Sequence, residues 1–114
     1  MSKELVSRIR AARQSSVDLG NGKSLICRRP TNLEMLEMSG KATQGQILTK
    51  FIDGWSGFTE LDLVPGGTGA EAKFDAELFA EWVADNPFSW PLISDAIVTA
   101  YQAHEKSLAD AVKK

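Results

Sequence analysis

Apolar residues recur every three to four positions through most of this chain. One β-prone stretch near the start and one glycine-rich stretch in the middle interrupt the pattern. In the first block Leu5, Val6, Ile9 and Ala12 share one side of a short helix that Ser2 can cap, with Arg8, Arg10 and Arg13 on other sides. So few apolar groups anchor a helix weakly, and residues 1–15 are expected to pack loosely. The run VDLGNGKSLIC then sets Asn21-Gly22 between two β-prone segments, and both residues tolerate positive φ. That predicts a hairpin with strands at 16–19 and 24–29, which must pack on helices or pair elsewhere because a lone hairpin is marginal.

Pro30 ends the second strand, and Thr31-Asn-Leu-Glu34 has the form of a capping box. A short helix follows through Leu33, Met35, Leu36 and Met38 and stops at Gly40. A further helix over 43–53 sets Ile47, Leu48, Phe51 and Ile52 at helical spacing, with Gly54 as its left-handed C-terminal cap. Residues 56–73, with Pro65, Gly66, Gly67 and Gly69, read as a mobile, irregular loop, a length that often carries function. Order resumes at Phe74-Asp75, where Asp75 caps and Phe74 staples onto Phe79. Leu78, Phe79, Trp82 and Val83 then form a buried stripe that ends at Asp85-Asn-Pro87. The last helix, about 89–112, carries Ile93, Ile97, Ala100, His104, Leu108 and Ala111 on one side. The expected architecture is α+β and mostly α-helical: four to five helices with one N-terminal β-hairpin, in a single domain over 1–114.

Composition changes this picture little. The chain has 114 residues, 43% hydrophobic and 25% charged, with net charge −2, which suits one soluble domain and favours neither a nucleic-acid nor a membrane partner. The distribution of charge is less even. Residues 1–57 hold 9 Lys/Arg against 5 Asp/Glu, whereas residues 58–114 hold 4 against 10. The halves can complement each other within one fold or allow copies to align head to tail. A single cysteine and the absence of an apolar leader or spanning run imply a reducing cytoplasm.

Catalytic chemistry finds no support in the residue types. His104 is the one histidine, and Glu105 beside it cannot face it on a helix. Cys27 alternates away from Arg28 on its strand and reads as a small buried hydrophobe, and no zinc set can be assembled around one His and one Cys. The GGTG run at 66–69 lacks the Gly-Lys-Ser/Thr of a phosphate loop. Glu77 and Glu81 form a solvated helix face, and Arg28 with Arg29 is too sparse for a nucleic-acid surface. Aromatics remain. Trp55, Phe79 and Trp82 are expected in the core, and Trp90, preceding Pro91 at a helix start, as a partly exposed anchor.

The order RRPTNLEML, then ILTKFIDGWSGFTELDLVPGG, then AKFDAELFAEWVADNPFSWPLISDAI resembles a tail assembly chaperone of long-tailed, HK97-like bacteriophages or prophages, over roughly residues 17–110. The resemblance implies a non-enzymatic protein without cofactor or metal. Such a protein binds the helical tape measure protein in the host cytoplasm, helps recruit tail tube subunits, and is absent from the mature virion. It also implies a longer frameshifted form in some members, with which the codons of Lys113-Lys114 are compatible.

A client with apolar helical stripes requires an apolar groove with a polar rim. The 51–73 segment and the last helix are expected to form its walls, with Phe58, Leu61, Leu63, Val64, Trp90 and Tyr101 as the contacting residues. The alternative is a head-tail connector or tail terminator subunit that stays in the virion. A small DNA-binding regulator fits less well, because the second of two adjacent helices (31–40 and 43–53) carries Lys50 as its single cation.

Overall fold

In the computed structural model of the chain, residues 2–112 are described. Six helices and three strands follow in the order α1 (Ser2–Ala12), β1 (Gln14–Gly20), β2 (Lys23–Arg28), α2 (Asn32–Met38), α3 (Gln44–Lys50), β3 (Ile52–Ser56), α4 (Glu60–Leu63), α5 (Ala76–Ala84) and α6 (Ser89–Val112). The fold is α+β and mostly helical, with the expected N-terminal hairpin. Asn21 and Gly22 both have positive φ, 53° and 78°, as the turn of a two-residue hairpin requires. Thr31 and Glu34 exchange both hydrogen bonds of the capping box, and Thr43 with Gln46 forms a second one at α3. Asp75 caps α5 through the Glu77 and Leu78 amides, and the Phe74 and Phe79 rings lie 6.1 Å apart, which is the expected staple.

The expectation of a helix through residue 53 is corrected. Helix α3 ends at Lys50, and Ile52–Ser56 is a third strand, antiparallel to β2, giving the order β1-β2-β3. Gly54 is therefore no helix cap. It lies opposite Ile26, on the outer face of the sheet. Ile52 pairs with Cys27 and Trp55 with Leu25, and the register shifts between these pairs. That bulge puts Ile52 and Trp55 on one face although they are three residues apart, where a regular strand would put them on opposite faces.

The inner face of the sheet, with Val17, Leu19, Leu25, Cys27 and Ile52, meets α3, α5 and the first half of α6 in one hydrophobic core. Leu48, Phe51, Phe58, Phe79, Trp82, Val83, Ile93 and Ile97 complete it. Trp55 sits at its edge. Its indole stacks on Phe58 at 4.3 Å and 12°, meets Phe74 edge-on at 5.6 Å, and donates Nε1–H to the Ala72 carbonyl at 2.8 Å.

Residues 57–73 are less irregular than the glycine content suggests. Thr59 begins the one-turn helix α4, with Asp62 bonded to both its amide and its hydroxyl. The strand-like return leg bonds back across the loop: Ala72 N–H to Phe58 O, Glu60 N–H to Ala70 O, and Leu61 N–H to Thr68 O, at 2.9 to 3.0 Å. Lys23 at the hairpin end reaches Asp62 at 3.1 Å and ties the loop to the sheet.

Several helices are poorly covered. No residue of α1 or α2 is buried, and α6 buries only Ser89, Ile93 and Ile97 in its first three turns. Leu33 and Leu36, on the short helix α2, are 63% and 74% exposed. Lys113-Lys114, the residues compatible with a frameshift site, lie outside the described residues.

Candidate functional site

The turn from β2 into α2 sets the geometry of the site. Arg28 leaves the end of β2 and lies over the Phe51 ring at 4.9 Å. It donates to both Glu34 carboxylate oxygens at 3.1 and 3.2 Å and to the Lys50 carbonyl at 3.2 Å, and meets Asp53 at 3.5 Å. One guanidinium thus joins α2, the end of α3 and the bulge of β3. Burial tends to raise the Glu34 carboxyl. The Thr31 amide and the Arg28 and Lys50 charges outweigh it and hold Glu34 below the ordinary carboxylate range. Arg28, which sequence offered only as a weak phosphate contact, is committed inside the chain. What would have revealed it is its spacing to the capping-box glutamate.

Fixed in this way, α2 and α3 stand away from the middle of α6 and leave a groove of about 550 Å³. Met35, Met38, Ile47, Phe51, Val98 and Tyr101 supply its apolar lining, and Glu105 is the one charged residue in it among the described residues. Its walls are themselves partly open: Met35 is 38% and Val98 52% exposed, whereas Leu33 and Leu36, 63% and 74% exposed, project from the side of α2 turned away from it. His104, one turn past Tyr101, donates Nε2–H to Asn32 Oδ1 at 2.7 Å, joining α6 to the start of α2. Half-exposed apolar side chains along an open groove are a feature of contact surfaces.

The predicted contact residues divide among different places. Tyr101 lines the groove, facing α2 and α3 rather than the 51–73 segment. From that segment only Phe51 reaches it, at its floor and fully buried. Phe58 is 1% exposed, between Trp55 and Trp82 in the core, and cannot anchor a partner in the folded chain. Leu63 is packed against the core, whereas Leu61 and Val64 are 60% and 54% exposed on α4 and just after it. Trp90 is 36% exposed and lines a separate hollow with Leu48, Ala80 and Val83, and its Nε1–H caps α5 at the Val83 carbonyl, 2.7 Å away. Phe79 and Trp82 are buried, and Trp55 is half-buried. Met35, Met38 and Val98 were not singled out by sequence, because which side of α2 and α6 stays open depends on where α3 sits.

Chemically the groove offers methionine, aromatic and aliphatic surface with little to polarise or attack a substrate. Cys27 is buried beneath the sheet, beside the Ser15 hydroxyl. Among the described residues no group of three or more His, Cys, Asp and Glu is placed to hold a metal ion, and no helix is long and apolar enough to cross a membrane. Comparison with protein-family models, with curated proteins and with solved structures finds no match to the chain.

Proposed function

We propose that this chain is a non-enzymatic tail assembly chaperone of a long-tailed phage or prophage, which holds the helical tape measure protein before the tail tube polymerises and helps recruit tube subunits to it. The observation that carries this reading is the methionine- and aromatic-lined groove between α2, α3 and α6, continuous with uncovered apolar side chains on both walls. Such a groove suits an amphipathic helix, whose apolar stripe enters while its polar side stays in water. Methionine lets the surface adapt to stripes of different shape, which a long client made of many non-identical turns demands.

The test is co-expression with the tape measure protein of a long-tailed phage. The client is expected to become soluble and to co-purify. Val98→Glu, which sets a charge at a half-exposed wall position without entering the core, should reduce co-purification at least tenfold while the chain stays folded. A client that stays insoluble with the intact chain overturns the reading. Detection of the chain in mature virions would favour the connector or terminator instead.

A further inference from the structure

We propose that Arg13 and Arg29 form an oxyanion site at the edge of the groove between α2, α3 and α6, and that it takes a carboxylate carried by the client helix bound there. This deepens the reading of the groove as a helix-binding cleft and rests on it.

Backbone pairing brings the two arginines together. Arg13 stands just before β1 and Arg29 just after β2, and the hairpin ladder, in which Gln14 faces Arg28, runs on into them. Arg29 N–H donates to the Arg13 carbonyl at 3.0 Å. Residues that face each other across an antiparallel pair hold their side chains on the same side of the sheet. The Arg29 guanidinium is also tied to the groove. Its Nη1–H donates to the Pro30 carbonyl at 3.1 Å, and Pro30 lines the groove together with Tyr101.

Neither charge is answered inside the chain. The ion pairs among the described residues are Lys23–Asp62, Arg28–Glu34, Arg28–Asp53 and Lys50–Glu34, and neither Arg13 nor Arg29 enters one. Both side chains are nevertheless partly buried, and Arg13 Nε is buried without a hydrogen-bond partner among the described residues. A guanidinium N–H so placed has lost water and gained no acceptor, which is costly. Burial, and after it the charge of Arg13, lower the Arg29 guanidinium from its ordinary value, and nearby Tyr101 offsets part of this. Like charges held side by side repel, and an anion shared between them removes both penalties at once.

The surroundings select the kind of anion. A guanidinium fork fits carboxylate and phosphate alike. Glu105 lines the groove, Glu34 and Glu37 stand on α2, and the whole chain has a net charge of −2. That field opposes a doubly charged phosphate more than a single carboxylate. A helix lying in the groove brings carboxylates at the border of its apolar stripe, where its polar side begins.

The test uses the full chain and two synthetic helical peptides of about 18 residues, long enough to hold a helix. They share one apolar stripe; one carries glutamates along its border and the other glutamines at the same places. In low salt, fluorescence anisotropy should show the Glu peptide binding roughly tenfold tighter than the Gln peptide. Arg13→Gln/Arg29→Gln should bring the Glu peptide down to the affinity of the Gln peptide, whose unchanged binding shows that the variant is folded. Raised salt should narrow the difference in the unaltered chain. In nitrogen–proton correlation spectra the Arg13 Nε–H resonance should move on titration with sodium acetate, and Glu105→Gln should leave it in place. Equal affinities of the two peptides overturn the site and leave the groove reading standing. An acetate shift with neither peptide bound supports the anion site and overturns the groove reading. A resonance that Glu105→Gln moves would show the arginines already paired within the chain, and overturns the proposal.

Discussion

Gly57 has φ 84°, and a Cβ built there would run into the Gly22 carbonyl at the hairpin turn. Two separate penalties follow for any other residue: the left-handed backbone and the displacement of a neighbouring backbone atom. Gly57→Ala is therefore expected to destabilise the fold by about 2–4 kcal/mol, a sum of left-handed strain and overpacking. Urea unfolding checks it, and a change below about 0.5 kcal/mol, the range of an ordinary surface substitution, would mean the hairpin turn yields easily. The need for something unusual around Trp55 was legible from its flanking glycines, but they serve different ends. Gly54 lets Ile26 lie across the outer face of the sheet. Gly57 lets the chain leave β3 against the hairpin, so that Phe58 can turn inward and stack on Trp55.

At the scale of elements, the helices and the hairpin were legible because their signals are local: capping residues, a two-residue turn, three-and-four spacing. The third strand was not, and the reason is specific. Ile52 and Trp55 both face the core because a bulge separates them, and this leaves them three apart, the spacing of a helix. Lys50 and Phe51 continue the apparent helix into it. What ends α3 is tertiary: Arg28 binds the Lys50 carbonyl, and Arg28 N–H bonds to the Phe51 carbonyl at 2.9 Å, extending the pairing with β2. The same guanidinium holds Glu34, which leads to a pH prediction. The folded carboxyl titrates below the unfolded value of about 4.3. Ionised Glu34 therefore favours the fold above that range, and the benefit is lost as acid protonates the folded carboxyl. Glu34→Gln should lower the urea midpoint at pH 7, and the gap between the two chains should narrow by pH 3. A gap equal at both pH values would show that the carboxylate charge contributes nothing.

Over the whole molecule, the radius of gyration is 16.0 Å and the extents are 57 × 37 × 23 Å, against about 13 Å expected for a compact domain of this length. Projection of α1 and of the second half of α6 accounts for the excess: a 24-residue helix is roughly 36 Å long, and only its first turns reach the core. Sequence periodicity shows which side of a helix is apolar but not whether anything covers it. That is why the spacing of Leu33 and Leu36 does not reveal their exposure, and why sequence points to a groove beside the 51–73 segment. The two locations make opposite predictions. Leu36→Asp and Leu61→Asp each charge a residue at least 60% exposed, so both should change stability by less than about 0.5 kcal/mol. If the client lies between α2 and α6 and spreads over the outer side of α2, Leu36→Asp should weaken capture of the tape measure protein several-fold and Leu61→Asp should leave it unchanged. Loss on Leu61→Asp with Leu36→Asp silent would move the binding surface to the loop at α4. Loss on both would require a client that wraps from one surface to the other, as a long helical segment with more than one apolar stripe could.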